Sequence, residues 1–242
     1  KDIDYILFLD PKLPRKLFGD VIRIKQIISN LISNAIKFTP NNGQIIVEIK
    51  VLDLSDTCTY EVCIIDSGIG IAKENQESIF RPFEQANSTT FKKFGGTGLG
   101  LSISYNVLEL MNSKIQLQSQ INKGSNFSFI LNSKYEKEDI VYDKQVKKQK
   151  ILLFTQNEET ISKHILIAQK YISAYANTHI EEDLNQIQNY DVLVLMYTDF
   201  IQYPKEYFVK PTIIIHNENL ENIHLNTKFK LLKTPINPAK TY

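Results

Sequence analysis

The stretch Gln26-Ile27-Ile28-Ser29-Asn30-Leu31-Ile32-Ser33-Asn34-Ala35-Ile36-Lys37-Phe38-Thr39 decides how this chain is read. With the residues ahead of it, it predicts a helix from Val21 to Phe38. Asp20, after Gly19, is placed to cap the start, and Thr39-Pro40 with the Asn41-Asn42-Gly43 turn ends it. Ile24, Ile27, Ile28, Leu31, Ile32, Ala35 and Ile36 form one apolar face, which predicts a sheet beneath it. Arg23, Gln26, Asn30, Asn34 and Lys37 step by three or four along the other side. Asn in mid-helix costs about half a kcal/mol against Ala, so two of them one turn apart are an odd choice for water alone. Amide oxygens on such a stripe can ligate a cation or accept from its waters. A merely solvated face is the other reading, and the helix alone leaves both open.

Around this helix the first two-thirds of the chain read as one α/β unit. Asp4 to Leu9 is a short apolar run stopped by Asp10-Pro11. Ile45, Val47, Ile49 and Val51 alternate as in a strand, and Tyr60 to Asp66 is another. Lys73 to Gly96 has no sustained period and reads as a long loop with a helical turn or two, a kind of segment that is usually functional. Leu99 to Met111 is helical. Ile115 and Leu117, then Phe127, Phe129 and Leu131, give two closing strands around Asn122-Lys123-Gly124.

Two further segments carry chemistry. In Asp66-Ser67-Gly68-Ile69-Gly70 a carboxylate ends a strand beside two glycines. Such a group can accept from an exocyclic amine while the glycines let a ligand approach the backbone; a plain Asp-Ser-Gly turn is the alternative. Gly95-Gly96-Thr97-Gly98-Leu99-Gly100-Leu101 opens a helix, where free N–H groups and the dipole favour an anion. It lacks the Gly-Lys-Ser/Thr ending of a P-loop, and no strand precedes it as a dinucleotide fingerprint requires.

In order along the chain, residues 26–39 resemble the N box of sensor histidine kinases, Asp66 to Gly70 the G1 box, Ile79-Phe80-Arg81-Pro82-Phe83-Glu84-Gln85 the F box, and Lys92 to Leu101 the G2 box. The resemblance covers residues 1–133 and implies the Bergerat ATP-binding fold, a two-layer α/β sandwich. It implies that Asn34 ligates Mg²⁺ bridging the phosphates of ATP, with Asn30 in support, and that Lys37 contacts phosphate. These three form the implied catalytic set. Asp66 would bind the adenine amine, with Gly68 and Gly70 making room for the base and Ile71 beside them. Gly96, Gly98, Leu99 and Gly100 would offer backbone N–H groups to the phosphates, with Thr97 and Leu101 in the same loop. Phe80 and Phe83 would anchor a lid. Lys92 stands where hybrid kinases often carry Arg, and still supplies a point charge.

The resemblance implies transfer of the γ-phosphoryl of ATP to a histidine on a helical dimerisation domain. Residues 1–133 hold no His, so that domain is expected upstream, and a start at Lys1 rather than Met reads as a piece of a longer protein. Related ATPases activate water with a Glu four residues before the Mg²⁺ asparagine. Asn30 stands at that position and takes no proton at neutral pH. A nucleotide-binding regulatory module, or an ATPase of the same fold without kinase activity, is the alternative.

Lys134 to Lys150 is charge-rich and core-poor, so residues 134–149 read as a linker. Beyond it, Ile151 to Phe154, Asp191 to Met196 and Thr212 to Ile215 are short apolar runs, with a helical segment from Thr160 to Tyr171. Buried parallel strands alternating with helices predict a flavodoxin-like doubly wound domain over 150–242. This part resembles a response-regulator receiver without its carboxylates. Thr155-Gln156-Asn157 replaces the acidic pair, Met196 or Tyr197 takes the place of the phospho-accepting Asp, and His216 stands near the usual Thr/Ser. A pseudo-receiver that scaffolds or regulates the kinase is expected, with a true receiver or response regulator as downstream partner.

Composition sets the bounds. Of 242 residues, 43% are hydrophobic and 23% charged, and 13 Phe with 12 Tyr exclude disorder as the dominant state. The net charge of +1 gives no basis for capturing nucleic acid or an anionic membrane. No apolar run approaches the roughly 20 residues needed to span a bilayer. Cys58 and Cys63, five apart in a strand, point to opposite faces and read as reduced thiols, which fits a cytoplasmic place.

Overall fold

Asp20 starts the first helix, α1 (Val21–Phe38), by accepting the Arg23 N–H at 3.0 Å, which satisfies one of the four unpaired donors of the first turn. At the other end the Lys1 ammonium donates to the carbonyls of Ile36, Lys37 and Thr39 at 2.9, 2.7 and 2.9 Å, where the negative end of the helix dipole favours a cation. The computed structural model describes residues 1–83, 99–137, 149–155, 163–173, 176–181, 189–203, 208, 210–216 and 229–233. The chain divides into two compact units, Lys1–Glu138 and Asp139–Tyr242.

In the first unit β1 (Ile3–Leu9) pairs in parallel with β3 (Gly43–Leu54), and α1 is the crossover between them. β3 pairs antiparallel with β4 (Cys58–Asp66), and β4 with β6 (Gly124–Tyr135). The two-residue β2 (Leu17–Phe18) closes the far edge on β6, and β5 (Gln116–Gln120) also pairs with β6. The sheet order is β1-β3-β4-β6-β2. Alternation along each strand aims Ile45, Val47, Tyr60, Val62, Ile64, Phe127 and Phe129 at one face, where Ile27, Leu31 and Ala35 of α1 and Leu108 of the second helix, α2 (Gly100–Leu110), meet them. This is the expected two-layer sandwich. Truncating a wholly buried member such as Leu31 to Ala costs about 2–5 kcal/mol.

The strands run longer than their apolar alternation marks. β6 continues to Tyr135, two residues into the expected linker, because β2 pairs with its last turn of strand. Lys73–Asn75 and Ser78–Phe80 are the expected short helical turns, both 3-10. Cys58 and Cys63 are both free and buried, on opposite faces of β4. Burial, followed by the neighbouring Glu61, pushes the Cys63 thiol up to about 11.

The second unit is a parallel five-stranded sheet. Its strands are β7 (Lys150–Phe154), β8 (Asn177–Glu181), β9 (Val192–Met196), β10 (Thr212–His216) and β11 (Phe229–Lys233), in the order β11-β10-β9-β7-β8. That is the flavodoxin-like order, with β7 and β9 flanking the switch point. The helix α3 (Lys163–Ser173) and the short α4 (Tyr197–Phe200) accompany it, around a core of Leu152, Phe154, Leu193, Leu195, Phe200, Phe208 and Ile214. The helical pattern from Thr160 is seen from Lys163 on; 156–162 lie outside the described residues.

Candidate functional site

The amide stripe of α1 is the floor on which the other elements converge. Asn30 and Asn34 are half-buried, whereas Arg23 and Gln26 are exposed. Asn30 donates through Nδ2 to the Gly100 carbonyl and to Ser104 Oγ, both at 3.2 Å, so the first turn of α2 rests on it. At the C-terminal end of the same stripe the Phe38 carbonyl meets the turn after β4, accepting the Ile69 N–H at 3.4 Å. Asn30 to Phe38 is eight residues, or about 12 Å of helix axis. Asn34 lies midway, and its amide makes no hydrogen bond among the described residues. Lys37 is the last residue but one of the helix, its Nζ 4.8 Å from the Phe38 ring centroid.

Asp66 closes β4 and is buried. Its Oδ1 accepts the Gly68 N–H at 2.8 Å. Burial pushes the carboxyl above its ordinary value, while hydrogen bonds from the Gly68 and Ser125 N–H groups and the Ser125 hydroxyl pull it back. Glycine is required on both sides of Ile69. A methyl on Gly68 would fall 2.6 Å from Asp66 Oδ1 and 2.8 Å from the Phe38 carbonyl. Gly70, at φ +68, has the Gln120 carbonyl against it, 1.9 Å from where a methyl would sit. Ile71 continues the turn, donating its N–H to Ser119 Oγ at 2.8 Å. Gln76 Nε2 then ties the Ile71 and Ser119 carbonyls together at 3.0 and 2.9 Å.

Opposite this turn, Leu99 is the first described residue after 98, and its carbonyl accepts the first helical bond of α2, from Ile103 at 2.9 Å. The N–H groups of Gly100, Leu101 and Ser102 therefore have no carbonyl ahead of them in the helix and are offered to whatever lies before it. Lys92, Gly96, Thr97 and Gly98 lie outside the described residues, as do Glu84 and Gln85. Of the two phenylalanines expected to anchor a lid, Phe80 packs into the core. Its ring lies 5.7 Å from Tyr105 and 6.5 Å from Phe127, with Ile79 buried beside it. Phe83 is 76% exposed at φ +62.

The chemistry of these donors fits a magnesium nucleotide. Mg²⁺ takes oxygen ligands, keeps several waters and usually needs only one or two protein groups beside phosphate. Asn34 has an uncommitted amide oxygen, and Asn30, its nitrogen engaged, has only Oδ1 left to accept with. Among the described residues no three His, Cys, Asp or Glu side chains gather to hold a metal by themselves.

Three groups of this unit were not legible as site residues in the sequence. Ser125 reaches Asp66 only through the β4–β6 register. Ser119 and Ser104 sit in unremarkable polar positions, and only their contacts distinguish them.

In the second unit, β7 and β9 end side by side, with Phe154 opposite Leu195. Thr155 there is buried and Met196 half-buried. The nearest described carboxyl in sequence, Asp199 in α4, is pushed up by burial. Glu158 and Glu159 lie outside the described residues, as does the side chain of His216.

Comparison with known proteins bears on both units. Residues 19–134 match the family described as histidine kinase-, DNA gyrase B-, and HSP90-like ATPase. Hybrid signal transduction histidine kinase A of Dictyostelium discoideum is 44% identical over 138 residues, which is 54% of this chain and 6% of that protein. Hybrid signal transduction histidine kinase F of the same organism is 28% identical over 288 residues, covering 98% of this chain and 26% of that protein. The chain thus spans a small part of the curated relatives it matches. Among solved structures, full-length ShkA in complex with AMPPNP has a TM-score of 0.67 at 18% identity, covering 98% of this chain and 50% of that one, a likeness of fold.

Proposed function

Since residues 19–134 form a histidine kinase-type ATP-binding domain, we propose that they bind Mg-ATP along α1 and present its γ-phosphoryl to a histidine on a separate helical dimerisation segment. The observation that carries this reading is the set of three facilities spaced along one helix: the free N–H groups of α2 at Asn30, the uncommitted amide of Asn34, and the buried Asp66 turn at Phe38. Asp66 accepts the exocyclic amine of adenine, and its own bonds to Gly68 and Ser125 fix the carboxylate plane beforehand. Asn34 Oδ1 and Asn30 Oδ1 are the groups that hold Mg²⁺ and its waters, and the ion when bound neutralises phosphate charge. The α2 N-terminus and Lys37 take the phosphate oxygens, joined by Lys92 and by Gly96, Thr97 and Gly98, which precede α2 in the sequence. Phosphoryl transfer asks mainly for this positioning and charge neutralisation.

Asn30 also supports transfer over hydrolysis. Its amide nitrogen is engaged and its oxygen is no base, so a water beside the γ-phosphate finds no proton acceptor there. The second unit is in our reading a pseudo-receiver, since Thr155 and Met196 replace carboxylates at its strand ends. The remaining partners are a dimerisation domain carrying the histidine and a receiver or response regulator. The two buried free thiols favour a cytoplasmic place, and among the described residues no helix is long and apolar enough to cross a membrane.

The test is calorimetric titration of the chain with Mg-ATP, alongside incubation with γ-labelled ATP. The expected result is saturable binding, much weakened in Asn34→Ala, with no label on the chain itself, because residues 1–133 contain no His and His164, in Ser162-Lys163-His164-Ile165-Leu166, lacks the acidic neighbour expected of an acceptor. Absence of binding sinks the nucleotide reading; label retained on the chain sinks the reading that its acceptor lies elsewhere.

A further inference from the structure

Ser104 is 1% exposed, and a hydroxyl at that depth needs a hydrogen-bond partner. It lies one turn into α2 and donates to the Gly100 carbonyl at 3.0 Å while accepting from Asn30 Nδ2 at 3.2 Å. Asn30 Nδ2 also donates to the same Gly100 carbonyl at 3.2 Å. Three groups thus close a triangle in which every donor is used. The triangle fixes the sense of the Asn30 amide, because flipping it would set Oδ1 against the Gly100 carbonyl, acceptor against acceptor. It also fixes the first turn of α2, whose free N–H groups begin at Gly100, to the helix that carries Asn34.

Resting on the nucleotide reading above, we propose that Ser104 is a positioning residue for the triphosphate: its hydroxyl clamps the phosphate-facing turn of α2 to the Asn30 amide and keeps Asn30 an acceptor. The clamp acts on the phosphate half of the ligand alone. The adenine half is held by Asp66, Gly68 and Ser125, none of which touches Ser104. Without the hydroxyl, Asn30 keeps only its bond to the Gly100 carbonyl, so the amide is held by one restraint instead of two and the side-chain tie between α1 and the first turn of α2 is halved at the point where phosphate is gripped.

The experiment compares the whole chain with Ser104→Ala, Ser104→Thr, Asn30→Ala and the Ser104→Ala/Asn30→Ala double variant, each checked by thermal unfolding. Mg-ATP is titrated calorimetrically and adenosine by NMR shifts. Ser104→Ala is expected to weaken Mg-ATP about tenfold, the scale of one lost hydrogen bond in a buried network, with adenosine affinity unchanged. Ser104→Thr, which keeps the hydroxyl, is expected to restore most of the loss. The double variant is expected to bind Mg-ATP no more weakly than Asn30→Ala, because the two groups act through each other. Equal loss of ATP and adenosine binding, or full additivity in the double variant, overturns the proposal. If Ser104→Thr does not fold, the double-variant cycle alone decides. A wild-type chain that does not bind Mg-ATP removes the nucleotide reading and the clamp together, whereas wild-type binding with unchanged triphosphate preference in Ser104→Ala overturns the clamp alone.

Discussion

The central strands of the two units end in opposite ways. β4 ends on a buried carboxylate, Asp66, followed by a turn crowded enough to demand glycine. β9 ends on Met196 and passes into α4, beside a β7 that ends on Phe154 and is followed by Thr155. Both sheets bring a loop to the place where an α/β fold builds its sites, but among the described residues only the first has a buried carboxylate at the end of its central strand. Architecture gives each unit an opportunity for chemistry, and a few side chains decide whether it is taken.

That contrast can be broken at several points. Asn34→Ala should lower Mg-ATP affinity on the order of a hundredfold, as loss of a metal-facing group does, and leave adenosine binding intact. Calorimetry of both ligands checks this, and a small effect would mean the stripe is only a solvated face. Gly70→Ala should destabilise the first unit by about 2 kcal/mol or more, because the added methyl meets the Gln120 carbonyl at 1.9 Å. Denaturant unfolding should show one transition shifted and that of the second unit unmoved.

Asp66→Asn should weaken ATP and adenosine alike by about tenfold and yet raise the melting temperature at neutral pH. The sign follows from burial. The carboxyl of Asp66 is raised above 3.8 in the folded chain. Its stabilising contribution is therefore complete below that value and is lost as pH climbs through the folded pKa. A neutral Asn escapes that loss, so the gain in melting temperature should shrink as the pH is lowered toward about 4; a gain independent of pH would sink the argument. At the smallest end, acetyl phosphate should add no mass to the second unit. A phosphoryl adduct abolished by Asp199→Asn would show that α4 has taken over the missing acceptor.

The sequence exposes features whose causes are local. α1 could be delimited to Val21–Phe38 because its cap, its two faces and its stop all lie within its own residues. Asp66 and the two asparagines were visible for the same reason. β2 is two residues long and exists only because β6 offers an edge, so no pattern announces it. β8 and β11 are short, β8 polar at four of its five places and β11 at two, and their pairing partners are separate segments of the chain. Ser125 and Ser104 gain their meaning from β4–β6 register and from α2 resting on α1, contacts that no stretch of a dozen residues contains. Phe83 is singled out by its place in a motif, and what its exposed ring at φ +62 serves lies with residues outside those described.

The register that puts Ser125 across from Asp66 also has a consequence for folding order. β1, α1 and β3 are sequential neighbours and can assemble early, whereas β4 meets β6 only after residues 67–123, which include α2 and β5, have been made. Until that strand docks, Asp66 lacks the hydroxyl and amide that orient it, and Gly124 has not closed over its carbonyl. A growing polypeptide that has already emitted most of its signature residues from the ribosome therefore still has nowhere to keep a nucleotide.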